Sequence, residues 1–272
     1  MQDMVYIGLL AVIQGLTEFL PVSSSGHLSL TQYFLAWPPT GALFLDVCLH
    51  AGTLGSTVVY FRRDLFALCR KCLEFMHWRK FLQTSEGMLL AGIAIASVPT
   101  GLIGLGLRDS FETLAKNPLF LSGAFGITGI FLFFSERTVS KEKSGAIGLM
   151  DALLCGVVQG ISVIPGISRS GSTIGFLLMR GYQPAQALRF SFLASLPAIF
   201  GAGLLEGVKA FKNDSVKTGY FAGTVIAFLT GLLALKLLDR VVAKKKFSLF
   251  GVYLMILGAA LAFFCGIRVW KS

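Results

Sequence analysis

Residues 12–26 read VIQGLTEFLPVSSSG and residues 157–171 read VVQGISVIPGISRSG, and these two polar stretches decide how the chain folds. They align with each other at a shift of about 145 residues, which places Gln14 on Gln159. Two polar, glycine-containing turns at one offset indicate an internal repeat. Each stretch also has a proline between two short apolar segments, where a helix is expected to end.

The composition around these stretches is that of a membrane protein. Of the 272 residues, 54% are hydrophobic and only 14% are charged, and the mean hydropathy is +0.74. A soluble domain keeps roughly 25% charged residues. Apolar runs such as 221–235 and 250–266 are also too long for alternating barrel strands. The sequence therefore excludes a soluble enzyme, a disordered tail and an outer-membrane barrel, and it predicts a polytopic helical membrane protein.

Apolar runs between charged breaks predict about ten helical segments. They are 4–17, 24–35, 41–61, 86–107 and 118–134 in the first half, and 147–161, 169–179, 184–205, 218–238 and 247–269 in the second. A helix needs about 20 apolar residues to span a bilayer, and the first two segments of each half are shorter. Because the polar run 23–25 cannot face lipid, we expect each short pair to form a re-entrant hairpin.

Each half then has two short helices and three long ones, and only the three long helices cross the membrane. Because three is an odd number, the two halves have opposite orientations in the membrane. The predicted fold class is an all-α integral membrane protein with an inverted-topology repeat of two five-helix halves, each with a re-entrant helical hairpin. The single membrane domain covers residues 1–272, with the first repeat at 1–135 and the second, inverted repeat at 146–272. We expect the two polar turns to meet near the bilayer midplane.

The net charge of +10 fits the positive-inside bias of membrane proteins better than nucleic-acid binding, so no nucleic-acid partner is predicted. If the first hairpin enters from outside, most loop lysines and arginines fall inside, above all those of the loop at 62–80. Both termini then lie outside. No cleavable signal peptide is visible before the first apolar run.

The five cysteines are scattered, and they fit packing in a bilayer better than a disulfide framework. Cys69 and Cys72 form a CxxC motif that His77 follows, but a second pair of ligands is missing, which argues against a zinc site. The sequence does not fix the oligomeric state, and a homodimer stays open.

The first polar stretch carries groups that are costly at membrane depth and are therefore candidates for function. Gln14 and Glu18 are four residues apart and share one face of a helix. A proline ends that helix, and Ser23 is a suitable N-cap for the next one. We expect the backbone N–H groups of residues 24–26 to point into the turn, with His27 one helical turn further.

The second polar stretch repeats this pattern and adds one arginine. Free N–H groups at helix N-termini bind anions, and the guanidinium fork of Arg169 matches phosphate oxygens. Two such turns facing each other predict an anion site, and we expect its ligand to carry phosphate. The candidate binding residues are Gln14, Ser23, Ser25 and Gly26 in the first stretch, and Gly166, Ser168, Ser170, Gly171, Ser172 and Thr173 in the second.

In such a site Ser24 or His27 would attack phosphorus, and Glu18 would orient the attacking group or take its proton. Glu18 beside a highly charged anion would otherwise repel it. A bridging divalent cation, Mg²⁺ or Ca²⁺, with Glu18 as a ligand is therefore a further expectation.

Structural roles compete with these functional ones. Serines in membrane helices often bond the carbonyl four residues back, and Gln14 and Gln159 would also tie helices together across the repeat interface. Asp46 and His50, four residues apart, either border the site or form a structural pair. Asp151 is expected near the membrane entrance of the second half's first helix.

Read together, the two motifs resemble those of the undecaprenyl-diphosphate phosphatase family, the bacitracin-resistance proteins of bacterial inner membranes. The family's first motif has Glu or Gln, then Glu four residues on, then Leu-Pro-Val-Ser-Ser-x-Gly-His, and it matches Gln14, Glu18, residues 20–24, Gly26 and His27. The second, Pro-Gly-x-Ser-Arg-Ser-Gly-x-Thr, matches residues 165–173. The resemblance extends to FLDVCLHAGT at 44–53 and FSFL at 190–193.

This resemblance implies hydrolysis of a polyprenyl diphosphate lipid, undecaprenyl diphosphate, to the monophosphate, which recycles the lipid carrier of cell-wall synthesis. It also implies an inner-membrane protein with an active site reached from the periplasm, and dependence on a divalent cation. Its catalytic residues carry over onto Glu18, Ser24, His27 and Arg169. Gln14 departs from members with Glu at that position, which leaves Glu18 as the one ionised oxygen ligand of the motif.

Two other classes of protein remain open at this point. Inverted repeats with broken helices are the architecture of secondary transporters, so a flippase or anion transporter would use the same turns. His27 with adjacent hydroxyls is more than simple anion binding needs, which favours hydrolysis. Acid-phosphatase-like lipid phosphatases also use a Ser-Gly-His string, but they need a second catalytic His, and nothing of that kind follows Arg169.

Overall fold

The computed structural model describes residues 2–35, 42–73, 81–107, 113–135, 143, 145–213, 219–244 and 246–271. Within these ranges the chain is helical, and its only β-type contact is an isolated bridge between Lys143 and Tyr182. The helices are α1 Gln2–Phe19, α2 Ser24–Leu35, α3 Ala42–Tyr60, α4 Arg62–Cys72, α5 Ser85–Gly106, α6 Pro118–Ser135, α7 Leu149–Ile161, α8 Arg169–Met179, α9 Pro184–Asn213, α10 Gly219–Ala243 and α11 Ser248–Lys271.

Six of these helices are long and apolar enough to cross a membrane, namely α3, α5, α6, α9, α10 and α11. Their outer faces carry exposed leucine, isoleucine, valine and phenylalanine, which is the surface that a bilayer covers. The prediction of a polytopic all-helical membrane protein is therefore confirmed. The four helices of the two polar stretches, α1, α2, α7 and α8, are not among the candidate spans.

Each of the ten predicted segments forms a helix, but three details differ. The first helix continues to Phe19, and α9 continues to Asn213, well past the predicted end at 205. The predicted loop at 62–80 contains α4, whose buried Leu68 faces the protein. Its many charges hid the helical period of its apolar residues. The rest of that loop, 74–80, lies outside the described residues, as do His77 and several of the basic loop residues.

All five cysteines are free thiols, as predicted: Cys48, Cys69, Cys72, Cys155 and Cys265. Asp151, near the start of α7, is buried and connects this end of the helix to Arg180, Tyr182 and Lys143. Its carboxylate accepts hydrogen bonds from Arg180 Nε and Tyr182 Oη, both at 2.7 Å, and Lys143 Nζ lies 3.4 Å away. The role of Asp151 in these contacts is structural.

Glycines let the long helices approach closely, as is typical of membrane helix packing. A Cβ atom added to Gly129 in α6 would lie 2.7 Å from the carbonyl oxygen of Gly251 in α11, and a Cβ on Gly251 would lie equally close to the carbonyl of Gly129. In the same way Gly156 in α7 lies against the backbone of Ala96 in α5. Backbone contact at these points fixes the spacing of the helices around the two polar stretches.

We therefore expect Gly129→Ala to lower the free energy of unfolding by about 1–3 kcal/mol, because the added methyl overpacks the α6–α11 contact. Denaturant or thermal unfolding of the purified protein in detergent micelles measures this. Gly123→Ala on the same helix is the matched control, since nothing lies within 4 Å of its added Cβ. Equal effects of the two substitutions would contradict the close-packing argument.

Candidate active site

The turn between α1 and α2 is held in a strained conformation. Ser23 has a φ of +70°, a value that residues other than glycine rarely adopt. Its hydroxyl accepts a hydrogen bond from the N–H of Gly26 at 3.4 Å, so the predicted N-cap is confirmed. Its carbonyl accepts from the His27 N–H at 3.2 Å. Strain of this kind is concentrated at functional sites.

The turn before α8 is built in the same way. Ser168 caps the helix, because its hydroxyl accepts from the N–H of Gly171 at 3.1 Å. The hydroxyls of Ser168 and Ser170 are 3.3 Å apart, and those of Ser23 and Ser25 in the first turn are 3.4 Å apart. The two polar stretches thus share their hydrogen-bonding pattern as well as their sequence.

The two turns touch each other, as the sequence predicts. Ser170 Oγ donates a hydrogen bond to the carbonyl of Leu20 at 3.3 Å. A Cβ on Gly26 would lie 3.0 Å from Gly166 Cα. A Cβ on Gly171 would lie 3.0 Å from Pro21 Cβ. A side chain at Gly26 or Gly171 would crowd the facing turn, so a glycine on each side suits this close approach.

Glu18 is the centre of the contacts between the turns. Its Oε1 accepts a charge-assisted hydrogen bond from Arg169 Nη2 at 2.7 Å. Its Oε2 accepts from Ser24 Oγ at 2.6 Å and from Gln14 Nε2 at 3.1 Å. His50 Nε2 lies 3.9 Å from the same Oε2. The predicted shared face of Gln14 and Glu18 is therefore confirmed, and Glu18 also joins the first polar stretch to Arg169 of the second.

Arg169 is largely shielded from solvent, with 16% of its side chain exposed. Its guanidinium lies over the Phe192 ring, 5.6 Å from the ring centroid, which is a cation–π contact. Only one of its terminal nitrogens is used in the contact with Glu18. Nη1 is buried and has no hydrogen-bond partner within the described part of the chain. A buried donor of this kind is costly unless an acceptor reaches it.

Glu18, Ser24 and Arg169 open into a cavity of about 590 Å³. Its polar lining consists of Thr17, Glu18, Ser23, Ser24, Ser25, Asp46, His50, Thr100, Gln159, Ser162, Ser168, Arg169, Ser195, Glu206 and Lys209. Apolar residues complete it, among them Leu43, Val47, Val163, Ala198 and Ile199. The cavity can therefore hold a charged group beside an apolar chain.

His27 does not line this cavity. Its Nδ1 lies 2.8 Å from the carbonyl of Ser23, so Nδ1 carries the hydrogen, and Tyr253 Oη lies 2.7 Å from Nε2. The ring packs against Phe125 at 5.3 Å between centroids. Among the described contacts, none joins His27 to Glu18 or Arg169. Its catalytic role remains a prediction.

His50 approaches Glu18 instead. Its Nδ1–H donates to the carbonyl of Asp46 at 2.8 Å, which turns Nε2 toward the Glu18 carboxylate. The sequence left open whether the Asp46–His50 pair borders the site, and the structure shows that both residues line the cavity. Asp46 Oδ1 is buried without a partner among the described residues.

Two further candidate residues, Ser172 and Thr173, lie in α8 outside the cavity lining. Thr173 is fully buried, and its hydroxyl lies 2.6 Å from that of Ser191 in α9. Ser172 is also buried in α8, and neither residue lines the cavity. Substrate contact by these two residues stays a prediction.

Sequence reasoning missed several polar residues of the cavity, namely Thr100, Ser162, Ser195 and Glu206. The hydroxyls of all three short side chains donate to backbone carbonyls three or four residues back. This is the commonest structural role of such residues in membrane helices, so their type alone carried no signal.

The fold and the site together define a class: a multi-pass helical membrane protein whose embedded cavity joins a carboxylate, a serine hydroxyl and an arginine. Within that class, residues 7–260 match the family model described as Bacitracin resistance protein BacA, and the chain belongs to this family. It is accordingly a multi-pass protein of the cell membrane.

Similar proteins bear one name. The chain is 44% identical over 254 residues to the undecaprenyl-diphosphatase of Syntrophotalea carbinolica, covering 92% of this chain and 94% of that protein. It is 38% identical over 252 residues to the undecaprenyl-diphosphatase of Acaryochloris marina, with the same coverage. The undecaprenyl-diphosphatase of Alkaliphilus metalliredigens is 37% identical over 268 residues, which cover 94% of this chain and 96% of that protein.

Because the Glu18–Arg169 pair is shielded, removing one partner leaves an uncompensated charge. We expect Glu18→Gln and Arg169→Gln each to lower the free energy of unfolding by about 3–5 kcal/mol. The double substitution should cost clearly less than the sum of the two. Unfolding of the three variants in detergent micelles provides this double-mutant cycle.

Asp64→Asn is the control for this cycle. Asp64 pairs with Arg189 at 2.7 Å, but both side chains are more exposed than those of Glu18 and Arg169. Its loss should cost no more than about 1 kcal/mol. Strict additivity of the Glu18 and Arg169 substitutions would show that the two side chains do not act as a pair.

Proposed function

We propose that this chain hydrolyses undecaprenyl diphosphate to undecaprenyl phosphate and inorganic phosphate, and so recycles the lipid carrier for cell-wall synthesis. The observation that carries this proposal is the short contact from Ser24 Oγ to the Glu18 carboxylate. Beside it lies the guanidinium of Arg169, whose Nη1 has no hydrogen-bond partner among the described residues. This is the arrangement of an activated nucleophile next to an anion site. The relatives' shared name, undecaprenyl-diphosphatase, supports the choice of substrate.

Two features would bind the diphosphate. Arg169 Nη1 offers a buried donor without a partner among the described residues, and a charge-assisted hydrogen bond to such a donor is strong. The second feature is the pair of helix N-termini, since α2 starts at Ser24 and α8 starts at Arg169. Their first backbone N–H groups and the positive ends of the helix dipoles would attract the diphosphate. The apolar lining of the cavity would take the first units of the polyprenyl chain.

In the proposed reaction, Ser24 Oγ attacks the terminal phosphorus and its proton passes to Glu18 Oε2, 2.6 Å away. The new bond joins Oγ to phosphorus, and the bond to the bridging oxygen breaks, which releases undecaprenyl phosphate. Glu18 gives the proton from Ser24 to the departing lipid phosphate. Water then attacks phosphorus and loses a proton to Glu18, the Oγ–phosphorus bond breaks, Glu18 returns that proton to Ser24 Oγ, and inorganic phosphate leaves. Arg169 neutralises charge on the transferred phosphoryl group while Nη2 keeps Glu18 in place.

The two histidines have different places in this proposal. His50 would position Glu18, because its Nε2 faces Oε2 while its Nδ1–H is fixed by the backbone. His27 would support the strained turn, since its Nδ1–H donates to the carbonyl of Ser23. A direct catalytic role for His27 would require its ring to leave Tyr253 and enter the cavity.

A divalent cation, Mg²⁺ or Ca²⁺, belongs to the same proposal. The described residues contain no group of three or more His, Cys, Asp or Glu that would enclose a metal by themselves. Asp46, however, has a buried carboxylate oxygen without a donor in the cavity that Glu18 also lines. Mg²⁺ commonly uses one or two carboxylates together with substrate phosphates. Glu18 and Asp46 would hold such an ion, which would neutralise the diphosphate.

The finer architecture is also proposed here: an inverted repeat of 1–135 and 146–272, with re-entrant hairpins entered from the periplasmic side. Reciprocal packing supports it. Helix α1 packs on α10 as α7 packs on α5, while the counterparts α3 and α9, and α6 and α11, pack on each other. The contact of Gly26 with Gly166 is likewise mirrored by that of Gly171 with Pro21.

We expect Ser24→Ala to lower phosphate release from undecaprenyl diphosphate by about 10²-fold or more, because it removes the nucleophile. The measurement uses purified protein in detergent micelles, where a transporter has no sealed compartment to fill. Ser29→Ala, on the same helix but outside the cavity lining, is the matched control and should keep its activity.

Three further results bear on this experiment. Trapping of a ³²P-labelled enzyme in the unsubstituted protein, and its absence in Ser24→Ala, would support Ser24 over water or His27 as the attacking group. Unchanged phosphate release in both Arg169→Ala and His27→Ala would show that the proposed active site is wrong. No release in micelles by the unsubstituted protein would instead favour transport.

For the cation, we expect a chelator to abolish phosphate release and Mg²⁺ or Ca²⁺ to restore it. Asp46→Asn should raise the cation concentration needed for half-maximal activity by about tenfold, because it removes one charged ligand. Asp239→Asn, an exposed carboxylate at the end of α10, is the control. An unchanged cation requirement in Asp46→Asn would remove Asp46 from the ligand set.

A further inference from the structure

Helix α4 lies between two candidate membrane spans, α3 and α5, and it is held against the protein by one side. Leu68 is buried, Asp64 pairs with Arg189 at 2.7 Å, and Lys71 Nζ lies 6.0 Å from the centroid of the Phe81 ring. These contacts fix the rotation of the helix. Only Phe61 separates the end of the candidate span α3 from the start of α4, and this short connection places α4 near a face of the membrane.

The opposite side of α4, which we call its outer face, is apolar in the middle and basic at the edges. Phe66 is 74% exposed and Leu73 is 84% exposed, and their spacing of seven residues puts them on one side of the helix. Arg63 and Arg70, also seven apart and exposed, follow beside them. The one acidic residue of α4, Asp64, points the other way toward Arg189.

We infer that the outer face of α4 binds anionic phospholipid at the membrane surface. Phe66 and Leu73 would enter the boundary between head groups and acyl chains, where large apolar side chains of interfacial helices lie. Arg63 and Arg70 would reach lipid phosphates, which guanidinium groups bind in fork geometry. Charge complementarity and the position next to two spans select a lipid as the occupant of this face over a soluble partner.

A single labelled thiol tests this inference in the full chain. Cys69 is exposed on the outer face, so Cys48, Cys72, Cys155 and Cys265 are replaced by alanine and Cys69 carries a bimane fluorophore. The protein is placed in vesicles of phosphatidylcholine and phosphatidylglycerol at a fixed ratio. In one set the phosphatidylglycerol carries brominated chains, and in the other the same mole fraction of phosphatidylcholine does.

We expect brominated phosphatidylglycerol to quench the fluorophore more than brominated phosphatidylcholine at low salt. Each arginine near an anionic surface enriches the lipid by about fivefold, from about 1 kcal/mol per basic residue. The preference should fall accordingly in Arg63→Gln/Arg70→Gln and should be reduced by salt. Arg240→Gln/Lys244→Gln, which removes the same charge from the exposed end of α10, should retain it.

Three results would overturn the inference. Equal quenching by the two lipids would mean that the outer face does not select anionic head groups. An equal loss of preference in both double variants would reduce the effect to net charge. Absence of quenching by either lipid, together with oxidative cross-linking of Cys69 between two chains, would assign the face to a second copy of the protein.

Discussion

The carboxylate of Glu18 can exist as an anion inside this apolar protein because donors surround it from two parts of the chain. Arg169 reaches one oxygen from the second polar stretch, while Ser24 and Gln14 reach the other from the first. Burying a charge without such partners would be costly. The pairing therefore ties the two stretches together, and the contacts of the glycine-rich turns follow from it. One buried ion pair thus links the fold to the site.

The sequence left two partners open for Arg169, namely Glu18 or an anionic ligand, because an unpaired buried cation is costly. In a chain with 14% charged residues, a glutamate and an arginine inside apolar stretches must meet each other or a ligand. Residue type predicted the N-cap Ser23 and the helix end before it, and the structure shows that Ser168 caps α8 in the same way. Sequence reasoning failed for α4, where five of the eleven residues are charged. It also failed for Ser162 and Ser195, whose type does not distinguish a cavity from ordinary backbone bonding.

Which histidine faces Glu18 was beyond the sequence for a geometric reason. His27 is close to Glu18 along the chain, but the φ of +70° at Ser23 turns the chain at the start of α2. The ring of His27 is then held by the Ser23 carbonyl and by Tyr253. His50 is far away in sequence, but α3 packs beside α1 and brings it to the carboxylate. Proximity along the chain suggested His27 as the histidine beside Glu18, but the packing of the helices places His50 there.

The close packing of the two turns against each other favours hydrolysis over transport. Alternating access needs the two halves of a protein to move against each other around the binding site. Here Gly26 lies against Gly166 and Gly171 against Pro21, at distances where one added methyl would collide. Separating them would also break the shielded Glu18–Arg169 pair and leave two uncompensated charges. A catalyst gains from the same close packing, because donors placed before the reaction need no reorganisation when charge develops on the transferred group. The packing that would hinder a transporter is therefore what a membrane-embedded phosphatase requires.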